Sequence, residues 1–301
     1  MKHAKQTRAP WILLACLAAI ALCMVAAVTL LQPNTKPKNI EIPGTRGNIP
    51  ATIQLPAKSA RGEELPLVVL CHGFTGNRQG DGHFAPLAED LAAHGIATVR
   101  LDFAGCGDST EPYANYTLAN MAADVDSVIG YMQATYGTGK TALVGHSMGG
   151  RLASLYPQLG QYPVTALALW GLQGLEFLSI DNFAAVEELA ARADAEGSVA
   201  AWGVELSAAY IDGMRDSAPN VTLQESGLPV LLTYSGNERI LSDTTQTETK
   251  AAVESLPDGQ VVLDPFVNGD HNYTSEDPAT NTQLDADLRQ VTVDFLTSHL
   301  Q

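Results

Sequence analysis

Residues 141–150 read TALVGHSMGG: a short apolar run, the hexapeptide Gly145-His146-Ser147-Met148-Gly149-Gly150, and the start of a helical pattern at Met148. Strand, G-x-S-x-G, helix is the layout of a nucleophile elbow, in which a serine sits on a sharp turn above the end of a sheet. Glycines flank the serine because a β-carbon there would clash. The helix that follows offers its positive end to the negative charge that develops during acyl transfer. The plainer reading is a glycine-rich turn with an inert serine, and the rest of the chain decides between the two.

Working outward, short apolar runs alternate with longer amphipathic ones. Residues 39–42 and 51–55 read as an opening hairpin. Strands are expected over 67–71, 96–102, 141–145, 164–170, 229–234 and 260–266. Helices are expected over 84–94, 118–136, 148–156, 244–256 and 284–300, several closed by glycine. Alternation of this kind predicts a mainly parallel sheet covered by helices on both faces. Residues 171–227 interrupt the rhythm. They read as helical, with no strand, and carry Phe177, Phe183, Trp202 and Tyr210; the length predicts a cap over the sheet.

A nucleophilic serine needs a base and an acid from elsewhere in the chain. His271 lies in Val267-Asn268-Gly269-Asp270-His271-Asn272, after the last strand and before the last helix, and is the candidate base. His146 adjoins the serine, and the strand-turn geometry is expected to point it away. His72 reads as a structural residue, and His94 and His299 as helix-end groups. In the chain order serine, acid, histidine, the acid falls in Ser235-Gly236-Asn237-Glu238-Arg239-Ile240-Leu241-Ser242-Asp243. Glu238 is preferred; Asp243 is the alternative, with helix capping as its simpler role, and Asp264 and Asp270 remain behind them. The oxyanion donors are expected to be the main-chain N–H groups of Met148 and of Phe74, the latter turned inward by Gly73.

The segments His72-Gly73-Phe74, LDFAGCGDS (101–109), GHSMGG (145–150) and Gly269-Asp270-His271 together resemble the α/β-hydrolase superfamily, in particular its capped carboxylesterases of the cinnamoyl/feruloyl esterase kind. The resemblance runs over about residues 40–300 and is weakest in the cap. It implies an α/β-hydrolase fold and ester hydrolysis through an acyl-enzyme on Ser147 and His271, with a small-molecule ester as substrate and no metal or organic cofactor. The chain departs from it twice: Glu238 stands where relatives usually carry Asp, and Cys106 where His is common. The same triad would also serve an acyltransferase, thioesterase or peptidase. From another class, a non-catalytic surface protein binding small acyl compounds fits the cap.

Composition sets the outer limits. The 301 residues are 46% hydrophobic with a net charge of −16, which fits a large packed core and leaves no basic surface for a nucleic-acid partner. Four cysteines exclude a disulfide-built scaffold. Cys71 and Cys106, at the ends of expected neighbouring strands, could pair in an exported protein, though a buried free thiol is the plainer reading. Residues 1–39 carry five basic residues and no acid, so the body has 12 basic against 33 acidic residues, a net of −21. Residues 1–9 read as a basic leader, 10–31 as a membrane anchor or a signal peptide cleaved near Val25-Ala26-Ala27, 32–39 as a linker, and 40–301 as the catalytic domain with its cap at about 171–227. Trp11–Leu31 is uncharged over 21 residues, about 30 Å as a helix. The basic leader favours an exported body.

Overall fold

The computed structural model describes residues 36–57, 64–174 and 183–301, the side chains of 183–186 apart. The basic leader, the apolar run 10–31, residues 32–35 of the linker, Phe177 and the side chain of Phe183 lie outside the described residues. Among the described residues no helix is long and apolar enough to cross a membrane.

Eight strands form one sheet in the spatial order β1 (Lys38–Pro43), β2 (Asn48–Gln54), β4 (Ala97–Leu101), β3 (Leu65–Cys71), β5 (Thr138–His146), β6 (Ala166–Trp170), β9 (Val230–Thr233), β10 (Gly259–Val262). Only β2 runs antiparallel to its neighbours; the expected mainly parallel sheet is present. Helices α1 (Phe84–Ala93) and α8 (Pro278–Leu300) cover one face. Helices α2 (Leu118–Tyr136) and α3 (Met148–Leu159) cover the other.

Local chemistry sets the element ends. Thr117 caps α2 by accepting from the Asn120 N–H at 3.2 Å, and Gly137 closes it in the left-handed region at φ 67°. Asp277 caps α8 by accepting from the Thr280 N–H at 2.8 Å, with Pro278 in the first turn. Helix α3 was expected to stop before Pro157 but runs on to Leu159. A proline so near a helix end removes one hydrogen bond without breaking the turns before it.

The insertion is not all helical. Between α4 (Phe183–Glu196) and α5 (Ala208–Asp216) lies a hairpin of β7 (Ser198–Ala201) and β8 (Val204–Ser207). Its sequence alternates, so that Val199 and Leu206 pair in register and are both buried. Trp202 and Gly203 make the turn at φ 49° and 82°, the two-residue geometry that suits the twist of a hairpin. Ser207 then caps α5 by accepting from the Tyr210 N–H. Helix α6 (Pro219–Ser226) returns to the body, packing on α3 and on α7 (Asp243–Glu254). Cys71 and Cys106 are free and buried; burial pushes the Cys106 thiol up to about 12.

Candidate active site

Strand β5 ends at His146, and the chain turns into α3 through Ser147 at φ 54° and ψ −113°. That conformation is costly for a residue with a side chain, and the surroundings hold it. The Ser147 N–H donates to the Trp170 carbonyl at 2.8 Å, and the Ser147 carbonyl accepts from Arg151 N–H at 3.0 Å and Gln173 N–H at 3.2 Å. The flanking glycines are steric requirements. A β-carbon on Gly145 would stand 2.2 Å from the Gly149 carbonyl oxygen, and one on Gly149 only 2.0 Å from that of Cys71.

His271 reaches the serine from the loop before α8. Ser147 Oγ–H donates to His271 Nε2 at 2.9 Å, and His271 Nδ1–H donates to Glu238 Oε2 at 2.7 Å. The Glu238 side chain is 3% exposed. Its other oxygen accepts from Ile240 N–H at 2.7 Å and Leu241 N–H at 3.1 Å. The carboxylate therefore trades water for three donors. The loops carrying acid and base are tied together by Gly236 N–H to Phe266 O at 2.8 Å and Asn237 N–H to Gly269 O at 2.9 Å. Gly171, at φ 55°, passes beside the imidazole; a β-carbon there would touch His271 Cε1 at 3.4 Å.

A family profile described as alpha/beta hydrolase fold matches residues 66–196, across the strand, the elbow and the start of the insertion. The chain has the α/β-hydrolase fold. Est1E from Butyrivibrio proteoclasticus superposes with a TM-score of 0.63 at 18% identity, over 85% of this chain and 98% of that one. The esterase domain of a Rhodothermus marinus protein gives 0.62 at 16%, over 88% and 100%. The Pyrococcus furiosus esterase Pf2001 gives 0.60 at 14%, over 89% and 94%. At such identities the likeness is one of fold. No curated protein sequence matches significantly.

Within the hydrolase fold, the loop after β3 lies against the elbow. A β-carbon on Gly73 would stand 3.3 Å from the Ser147 β-carbon, so glycine lets the main chain approach the serine. The Met148 amide opens α3 and has no acceptor within its own helix. Phe74, the other expected donor, lines the same pocket as Ser147 and His271, with its ring against Tyr113, Tyr116 and Tyr210. Asp243 is the exposed first residue of α7; the cap of that helix is Ser242, which accepts from Thr245 N–H. Both ring nitrogens of His271 are already engaged by Ser147 and Glu238, and Asp270 spends its carboxylate on Asn272 N–H and Thr274. Asp264 begins the 3₁₀ turn Asp264–Phe266.

Three placements go beyond the sequence reading: His146, the Arg78–Asp102–Asp108 cluster and Arg151. His146 does not point away: its ring lies 5.2 Å from that of His271, and its Nε2–H donates to the His271 carbonyl at 3.1 Å. Strand parity carries that signal, since Ala142, Val144 and His146 share the α1/α8 face of β5. Burial pushes the His146 imidazole down to about 3, so its 3.7 Å approach to Asp81 is not an ion pair. His72 is neutral as well, pushed down to about 4 by burial. It spans the loop, donating from Nδ1 to Gly73 O at 2.7 Å and accepting at Nε2 from Phe103 N–H at 3.2 Å.

The two motif loops of the resemblance are locked by charge. Arg78 pairs with Asp102 and, at 2.6 Å, with Asp108; Asp102 also accepts from the Arg78 N–H at 2.6 Å and the Asp108 N–H at 2.9 Å. Gly107 turns so close that a β-carbon would strike the Asp102 carboxylate. Arg151, one turn past the serine and buried, donates to Gln173 O at 3.1 Å and, in the insertion, to Met214 O at 2.8 Å, tying cap to elbow. Among the described residues no group of three or more His, Cys, Asp or Glu could hold a metal ion.

Proposed function

We propose that the protein is a serine hydrolase that cleaves carboxylic esters through an acyl-enzyme. The observation that carries this reading is the unbroken hydroxyl–imidazole–carboxylate chain of Ser147, His271 and Glu238, opening on a pocket of about 1070 Å³. In that arrangement His271 Nε2 takes the Ser147 proton as Oγ attacks the acyl carbon. The amides of Phe74 and Met148 receive the oxyanion. His271 then passes the proton to the departing alcohol, and water, deprotonated by the same nitrogen, releases the acid and restores the serine. Glu238 holds the imidazole tautomer and balances its positive form. The Asp243 alternative for the acid has no geometric support beside it.

For substrates, the aromatic Trp202 lines the pocket with Ser147, and Est1E has been solved with ferulic acid bound. Both support starting a substrate panel with hydroxycinnamoyl esters beside short aliphatic ones. We also propose that residues 10–31 anchor the chain in a membrane, or are cleaved as a signal, with the body outside the cytoplasm; fractionation of full-length protein tests this. The activity is tested by mixing protein with 4-nitrophenyl acetate. A burst of 4-nitrophenol and labelling by a fluorophosphonate, both lost in Ser147→Ala, are expected. Neither turnover nor labelling of the wild type would leave only the reading of a non-catalytic acyl-binding protein.

A further inference from the structure

Two successive carbonyls on the loop that carries the base are each held by a histidine from outside the triad. His146 Nε2–H donates to the His271 carbonyl at 3.1 Å, and His83 Nε2–H donates to the Asn272 carbonyl at 2.9 Å. Both histidines are buried, 5% and 6% exposed. They come from unrelated elements: His146 ends β5, and His83 is the residue before α1.

The loop needs such donors because it is irregular. Its turn is closed by Tyr273 N–H to Asp270 O and Asp270 N–H to Thr274 O, with Tyr273 at φ 57°. Neither the His271 nor the Asn272 carbonyl sits in a strand or helix ladder, so each takes its protein donor from a side chain. A histidine can meet one with a single N–H while packing the rest of its ring. His83 is itself braced, with Nδ1 2.7 Å from Asp285 Oδ1 on α8, whose second oxygen accepts from Arg289 Nε–H at 3.0 Å.

We propose that His146 and His83 form a two-point clamp on the main chain of this loop, and that His146 is the positioning residue that sets the His271 ring between Ser147 and Glu238. The inference rests on the triad reading above. The His271 ring swings from a Cα whose own carbonyl is fixed by His146. Removing that donor frees the peptide plane between residues 271 and 272, and Nε2 moves relative to Oγ. A displacement of about 1 Å at the reacting atoms costs on the order of 10²-fold in rate. Being neutral, His146 also adds no charge against the imidazolium that forms 5.2 Å away.

The test compares full-length wild type, His146→Phe, His146→Gln, His83→Phe and the double Phe variant, each checked for folding by thermal melt. The readouts are kcat and KM on 4-nitrophenyl acetate across pH, and the low-field proton resonance of His271 Nδ1–H, assigned by its loss in His271→Ala. His146→Phe is expected to lower kcat about 10²-fold with KM changed less than threefold, to shift the acid limb of the profile, and to lose or broaden the resonance. His146→Gln, which keeps a donor, regains tenfold or more. His83→Phe costs about tenfold, and the double variant costs less than the product because both act on one loop. A folded His146→Phe within twofold of wild type and with the resonance intact overturns the clamp. So does equal loss in the Phe and Gln variants, or a fully multiplicative double variant. If His146→Phe does not fold, His146→Gln and His83→Phe decide by the same readouts. If the wild type turns over no ester, the ester reading fails by itself, and retention or loss of the resonance in His146→Phe still decides the clamp.

Discussion

Ser147 and Trp202 share a positive φ and little else. Both are side-chain-bearing residues at positive φ, 54° and 49°, and both face the same pocket. Ser147 is 6% exposed and is held by contacts from β6, α3 and the residue after Leu172, so its geometry is imposed by the whole fold. Trp202 is 40% exposed and takes its geometry from one four-rung hairpin. Among the described residues, Thr75, Asp81, Ser147 and Trp202 line the pocket, and these are four of the five non-glycine residues at positive φ. Unfavourable backbone is concentrated where chemistry is proposed, but it is paid for globally at the elbow and locally in the cap.

That contrast can be broken from its strongest side first. Ser147→Ala should remove about 10⁵-fold or more of kcat on 4-nitrophenyl acetate, with the main-chain hydrogen bonds that hold the turn retained. Glu238→Gln should cost about 10³-fold or more in kcat, whereas Asp243→Asn should stay within about twofold because it alters only the first turn of α7. A larger loss in the second variant would overturn the assignment of the acid. Gly149→Ala attacks the elbow through sterics alone. Its β-carbon would meet main chain at 2.0 Å, so a loss of about 3 kcal/mol is expected in urea denaturation, against little effect for Gly203→Ala beyond its backbone cost of about 1 kcal/mol.

Acid should act on the elbow side as well. His72 and His146 are pushed down to about 4 and about 3 by burial, while in the unfolded chain each takes a proton below about 6.5. Between those values the unfolded state binds more protons, so stability falls as pH drops from about 6.5 toward 4, by up to about 1.4 kcal/mol per unit for each histidine. Above 6.5 these two groups contribute no slope. Denaturation midpoints from pH 7.5 to 4.5 check this, and His146→Gln should flatten the fall. The smallest effect belongs to the cap: Trp202→Asn, which suits the turn better, should change stability by less than about 1 kcal/mol yet alter KM for aromatic esters.

The sequence carried most of the body, for reasons visible in particular residues. Buried strands such as 67–71 are continuous apolar runs, and their helices announce their ends through Thr117, Gly137 and Asp277. The elbow was legible because its glycines answer to a steric need that any sheet-to-helix turn of this kind creates. The cap hairpin was not, because VAAWGVELSAAY satisfies a helical and an alternating pattern alike until Trp202-Gly203 is recognised as a turn. The choice of acid stayed open because Glu238 and Asp243 share one loop, and only the fold decides which carboxylate meets an imidazole 33 residues away. His146 was misplaced because adjacency to the serine outweighed the parity of its strand.

The directions of the strands have a practical corollary. Strands β3 to β6 run toward the pocket and β2 runs back from it, so the opposite pole is the edge where β4 begins at Ala97, just after α1. Gln301 lies at that pole, where it meets His94 at the close of α1. Fixing the protein to a bead, an electrode or a fusion partner through Gln301 should thus leave its mouth turned outward, with no re-engineering of the scaffold.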